Sequence, residues 1–452
     1  MDTRPVNPLD KLTEARAPAH VIGVVGGAVA GSEAAALCAK RGAIAVVFEQ
    51  GARPYGKIED GLPRWHVKLR EQEYARIDEN LTTDGVIFVP KTRVGESVAL
   101  TSLLGDLGMS AVLLASGAWR DRPLPIEGAE RFVDKGLVYQ NPFVYWFNHY
   151  VEPGYDGPRY EVHDGTIVVG GGLASIDVVK IVNLELYRRA LAARGIEIDI
   201  VDLEQRGIPK VLEAHGLSVD ALGVRGVTLY YRRSKEDMPL ASMDDPTPEQ
   251  QAKLRVARGK VMDRVMRKYL VRLVECAAPV EVIAEGDRLA GLRFERTEVI
   301  DGRVRRVAGS TFEVRAPMVI SSIGSVPAPM TGVPMRGELY QFADWHTGAV
   351  EGLPGTYGLG NVLTGKGNIK DSRKNAVDVA DQVLSRYLGV GEAVSERPAA
   401  LVPPVVRDAV DEAMRRGPVA PQAQRRLGEA VRALWQQAGY TGDYAAWIAA
   451  AR

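Results

Sequence analysis

Cysteine is scarce in this chain. Cys38 and Cys276 stand far apart and form no Cys-x-x-Cys pair. That excludes a redox dithiol, an iron–sulfur cluster on clustered thiolates and a zinc ribbon. Net charge is lacking as well. Lys+Arg and Asp+Glu both total 57, so no broad basic footprint for nucleic acid is expected. Long apolar runs are missing: nothing reaches the ~20 residues needed to cross a membrane. The opening MDTRPVNPLDKLTEARAPAH is polar, without the apolar core of a leader. A cytoplasmic protein is therefore expected. The five histidines other than His66 show no metal-ligand spacing, and no metal is expected.

Glycine, by contrast, is plentiful. Forty-seven glycines in 452 residues suit a fold with many tight strand-to-helix turns, and the length suits two domains or more. Strand-like and helical runs alternate, which predicts parallel sheets. HVIGVVGG (20–27) reads as a buried strand, residues 30–41 as an alanine-faced helix carrying an inert buried Cys38, and AIAVVFE (43–49) as the next strand. SAVLLASGAW (110–119) is a later strand. DGTIVVGGG (164–172) starts the pattern afresh, with a helix after it and its second strand, GVTLYYRRS (226–234), delayed by an insertion at about 190–224. PMVISSIG (317–324) and TYGLGN (356–361) read as strands returning to the first domain, and 371–388 as an amphipathic helix. The expected class is α/β, with two Rossmann-like dinucleotide-binding domains, the second inserted in the first. The boundaries are 1–145 and 319–391 for the first domain, 146–318 for the second, and 392–452 for a helical extension. The extension opens on the linker RPAALVPP and shows helical periodicity in 404–416 and 422–438.

The first glycine turn lacks its middle glycine. Gly26 and Gly31 are in place, and Ala28 stands between them. A sharp turn, close helix packing and a helix N-terminus aimed at a pyrophosphate remain available. Glu49, 23 residues after Gly26, sits where a carboxylate accepts ribose hydroxyls. The second turn has Gly170 and Gly172, then Leu173 and Ala174, with Ser175 in the third glycine's place. Its second strand ends in Arg232 and Arg233 rather than an acid. Guanidinium groups there bind a 2′-phosphate, which an acid would repel. The first turn is thus expected to hold a dinucleotide without a 2′-phosphate and the second NADP; solvated surface arginines are the alternative.

Residues ~20–390 resemble the adrenodoxin reductase-type ferredoxin–NADP reductases and, more distantly, the flavoprotein subunit of glutamate synthase. The likeness rests on RPYGKIEDGLPRWHVKL (53–69), LLASGAWRDRPLPIEG (113–128), NPFVYWFNHY (141–150), GGGLASIDVVKIV (170–182), YYRRSKEDMP and YGLGNVLTGKGNIKDSRKNA (357–376). It implies FAD on the Glu49 turn and NADPH on the Arg232 turn, with hydride passing to the flavin and single electrons to a ferredoxin. It also implies cofactor contacts from Gly56, Lys57, Gly61, Gly117, Gly360, Asn361, Gly365 and Asn368. Four of these, Gly56, Gly61, Gly360 and Gly365, would be close backbone approaches to the flavin. Asn361 replaces the family's Trp or Asp and can still reach a ribityl hydroxyl.

His66 would lie beside the flavin and relay a proton, paired with Asp244 or Asp245; a surface histidine after a turn is the plain alternative. Arg258, Arg264, Lys268 and Arg272 would cover one helix face, either steering a small acidic electron carrier or simply solvated. Two further readings stand beside the ferredoxin reductase. One is an NAD(P)H-dependent flavoprotein acting on an organic substrate or on oxygen. The other is the flavin subunit of a larger complex, docked through the extension. A homo-oligomer is left open.

Overall fold

Runs of Val and Ile bounded by glycine set the strands, because a parallel strand is buried on both faces. The structure, a computed structural model, describes residues 7–243, 245–365, 367–391 and 415–451. The chain divides into two units: residues 1–59, 68–120 and 325–452 form one, and 60–67 with 121–324 the other.

In the first unit β1 (Val21–Val25), β2 (Ile44–Phe48), β3 (Val86–Val89) and β4 (Ala111–Leu114) run parallel, every residue of them buried. The sheet order places β1 between β2 and β4, with β3 at one edge; Thr356–Gly358 adds a parallel strand beside β4, and two short antiparallel strands follow. Helix α1 (Val29–Lys40) connects β1 to β2, and its small buried residues Ala34, Ala35 and Cys38 let it lie close to the sheet. Burial pushes the Cys38 thiol up to about 12, which makes it the inert core thiol the sequence suggests.

The second unit repeats the plan. Its parallel sheet has the order β5 (Leu137–Tyr139), Val319–Ser322, β6 (Ile167–Gly170), β7 (Thr228–Tyr230), β8 (Arg272–Val274). Helix α2 (Gln140–His149) follows β5, and α3 (Leu173–Ala192) follows β6. Two expectations are corrected here. Val319–Ser322 pairs with β5 and β6 and so belongs to the second sheet rather than returning to the first. The second unit also begins earlier than residue 146, because β5 and α2 lie in it. The insertion forms three short helices, Ile200–Arg206, Ile208–Ala214 and Val219–Leu222. The first places Glu204 on the buried ammonium of Lys180 at 2.7 Å. A three-stranded antiparallel sheet, 277–315, was not expected. The basic helix Pro248–Tyr269 stops at Leu270, which takes a left-handed φ of 55°. Arg272 therefore opens β8 and leaves the face shared by Arg258, Arg264 and Lys268. Val265 of the same helix is buried.

Helices α4 (Pro421–Ala438) and α5 (Tyr444–Ala451) complete the first unit. Leu427, Val431, Trp435, Tyr440, Tyr444 and Ile448 join its core. The Trp435 indole donates to the Phe88 carbonyl of edge strand β3 at 2.9 Å, and Val419 pairs backbone to backbone with Ala19. The periodic stretch 404–416 lies almost wholly outside the described residues.

Candidate dinucleotide-binding sites

The first glycine turn is built from sterics. Gly26 has φ +100°, and a Cβ there would lie 2.7 Å from the Ala115 carbonyl oxygen; a Cβ on Gly31 would fall on the Gly26 carbonyl oxygen. Ala28, where the missing glycine was noted, is the N-cap of α1 with φ −72° and ψ −159°. That is extended backbone which alanine adopts without strain, so the first-turn N–H groups of α1 stay available to an anion. Glu49 is buried and accepts from Gly27 N at 2.8 Å and from Gly51 N at 2.9 Å. Gly56 lies on Ala28, 2.9 Å from its methyl were a Cβ present, and Gly360 lies on Ala30 at 2.6 Å by the same measure. Asn361 follows directly, and its buried Oδ1 has no hydrogen-bond partner among the described residues. An orphaned acceptor beside the start of α1 fits a donor from a bound group. Gly117, at φ +72°, and Gly56 both face the Trp119 ring, over which Lys57 also reaches at 5.5 Å.

Four further residues were expected at this site. Gly61 and His66 belong to the second unit. Asn368 caps the helix Ile369–Gln382, accepting from Asp371 N at 2.8 Å. Gly365 is the left-handed C-cap of Asn361–Thr364, with open space around it.

In the second unit a Cβ on Gly170 would meet the Ser322 carbonyl oxygen, and one on Gly171 the Tyr231 ring. Gly171 thus carries a packing constraint the fingerprint did not assign. Gly172, N-cap of α3, faces open space. Leu173 is 52% exposed beside it, with Ala174 next in the same turn. A cradle that a side chain would fill, at the head of a 20-residue helix, fits a phosphate. Ser175 is fully buried and donates to Gly172 O at 2.6 Å. Arg232 is exposed after β7, while Arg233 donates to Gly302 O at 3.0 Å.

The segment 60–67 is held by α2, which explains the FNHY part of the aromatic motif. Asn148 accepts from Arg64 N at 3.0 Å and donates to Leu62 O at 3.1 Å. The Arg64 guanidinium lies over the Phe147 and Tyr150 rings. His149, buried, meets Asp60 at 3.0 Å and Glu152 at 2.9 Å. Burial pulls its pKa down, but the two carboxylates outweigh that and the net shift is upward. His66 Nε2 lies 3.7 Å from Asp177 Oδ1 on α3. Asp244 is outside the described residues. Asp177 was missed although it sits in the quoted LASID stretch.

No protein-family model matches the chain. The glutamate synthase [NADPH] small chain of Mycobacterium tuberculosis is 24% identical over 363 residues, 77% of this chain and 62% of that one. A putative glutamate synthase [NADPH] small chain of Cereibacter sphaeroides is 23% identical over 382 residues, covering 80% and 76%. The NADPH-Fe(3+) oxidoreductase subunit beta of Geobacter sulfurreducens is 28% identical over 199 residues, covering 40% and 27%. The chain spans about three fifths of the length of the curated relatives it first matches. Among solved structures, M. tuberculosis FprA in complex with NADPH and a His-to-Gln variant of FprA each give TM-score 0.64 at 19% identity, over 92% of this chain and 90% of that one. The fold is therefore that of two Rossmann-like units, one inserted in the other. No described helix is long and apolar enough to cross a membrane.

Proposed function

We propose that the chain is an FAD-dependent oxidoreductase that takes hydride from NADPH onto FAD and passes electrons to a small ferredoxin-like iron–sulfur protein in the cytoplasm. The observation that carries this reading is the charge difference between two otherwise alike cradles. One ends in buried Glu49, the other in Arg232 and Arg233.

FAD, when bound, supplies both the hydride-accepting and the single-electron chemistry. Gly26, Ala28 and Gly31 would present the N–H groups of α1 to its pyrophosphate, and Glu49 would take the ribose hydroxyls. Gly56, Lys57, Gly117, Gly360 and Asn361 would line the remainder. Gly170, Gly172, Leu173 and Ala174 would hold the NADPH pyrophosphate, with Arg232 reaching its 2′-phosphate. Asp177 Oδ1, 3.7 Å from His66 Nε2, would orient the imidazole, the role first expected of Asp244.

The test is the visible spectrum of the purified protein, then anaerobic NADPH titration and a ferredoxin-reduction assay. A flavin band that NADPH bleaches, with electrons recovered on the iron–sulfur protein, supports the reading. A colourless protein that takes up no FAD overturns it. A second reading, the flavin subunit of a larger enzyme, is favoured by relatives named as a small chain or a subunit. Native mass in lysate separates the two. Helices α4 and α5 of the extension pack apolar side chains into the first unit's core.

A further inference from the structure

Helix α5 touches the loop that carries the proposed FAD contacts. The loop runs from Glu49 to Gly56 and returns over the glycine turn, with Pro54 against Gly27 and Gly56 against Ala28. Its outer side is fastened by the extension. Trp447 Nε1 donates to Ala52 O at 2.7 Å. Tyr444 Oη donates to Asp78 Oδ1 at 2.7 Å, and the same carboxylate takes the Tyr55 hydroxyl at 3.0 Å. Burial holds the Tyr444 phenol far above its ordinary value, with Asp78 adding to the effect, so it stays a donor. Lys91, whose N–H donates to Gly51 O at 3.0 Å, lays its ammonium over the Trp447 ring at 5.2 Å. The loop is thus clamped at Gly51, Ala52 and Tyr55, on either side of Pro54.

We propose that α5 is a positioning element for the first dinucleotide site: Trp447 and Tyr444 hold the loop 50–56 closed on the glycine turn and so slow the loss of bound FAD. This rests on the proposed assignment of FAD to that turn. The residues act through the loop and do not touch the cofactor. A loop held in its binding conformation loses less entropy when the cofactor binds, so removing one clamp lowers affinity although no cofactor contact is removed.

The test uses the full chain. FAD affinity of the apoprotein is measured by quenching of flavin fluorescence for wild type, Trp447→Phe, Tyr444→Phe and the control Trp435→Phe. Amide hydrogen exchange over 49–56 is followed in the same apo samples. Each of the first two variants is expected to weaken FAD binding about fivefold, the scale of one hydrogen bond, and to speed exchange at Gly51 and Ala52. Trp435→Phe removes the bond to Phe88 in the same helical extension, away from the loop. It is expected to lower the unfolding midpoint while leaving FAD affinity within twofold of wild type. Unchanged FAD affinity and unchanged exchange in both clamp variants would overturn the proposal. So would an equal loss of FAD in all three, which would mark a general stability effect. Wild-type protein that binds no FAD would instead defeat the assignment of the cofactor, and the exchange data alone would then judge the clamp.

Discussion

On the proposed reading, cofactor choice turns on two residues, Arg232 and Glu49. Arg232→Ala would remove the proposed charge-assisted bond to a 2′-phosphate, worth about 1.5–3 kcal/mol. The expected outcome is a KM for NADPH raised at least tenfold with little change for NADH, read from steady-state kinetics with both nucleotides. Glu49→Lys places an ammonium where Gly27 and Gly51 now donate N–H bonds, so the purified variant should emerge without flavin absorbance. Cys38 offers a quieter check. With its thiol at about 12, it should stay unreactive toward a disulfide reagent at pH 8 until denaturant is added. The residues of both glycine turns were legible in the sequence because their function is local steric fit. Asp177 was not, because it reaches His66 only through folding, from 111 positions away.

Elements were legible in proportion to how local their cause is. The strands β1, β2 and β6 and helices α1 and α3 follow from apolar runs and glycine punctuation. Val319–Ser322 has the same apolar signature as any buried parallel strand, and nothing in it names the sheet it joins. The antiparallel strands of 277–315 did leave a signal. Asp301-Gly302, with φ of 50° and 72°, is a hairpin turn between alternating runs. The inserted helix Ile200–Arg206 earns its place through Glu204, so Glu204→Ala should cost about 3–5 kcal/mol in urea unfolding by leaving the Lys180 charge buried and unpaired. The α2 contact with 60–67 adds a pH dependence. His149 meets a carboxylate on each ring nitrogen, which requires both to donate and favours the charged ring. Its folded pKa lies above the usual 6.5, so its stabilising effect is complete below about pH 6.5 and is lost as pH rises through the raised value. Denaturation midpoints measured from pH 6 upward should fall more steeply in wild type than in His149→Gln.

At the scale of the whole molecule, the plan of one Rossmann-like unit inserted in another was readable from the repeated strand–glycine–helix pattern. The fate of the extension was not. The apolar spacing of Leu427, Val431 and Trp435 declares a buried face on α4, but the surface that receives it, at Phe88 and the 9–15 segment, is set by tertiary packing. Truncation after Gly391 would bare that surface and is expected to yield aggregated protein, measured by light scattering, rather than a trimmed soluble enzyme.

The bond from Trp435 to Phe88 spans 347 positions, and that distance is also a delay. At translation rates of 5–20 residues per second, edge strand β3 leaves the ribosome roughly 20–70 s before the helix that covers it. In roughly the last third of that interval the inserted unit, contiguous from residue 121 to 324 apart from a short earlier segment, is fully synthesised and can already mature. The nascent first sheet must meanwhile wait with an open, hydrogen-bonding flank.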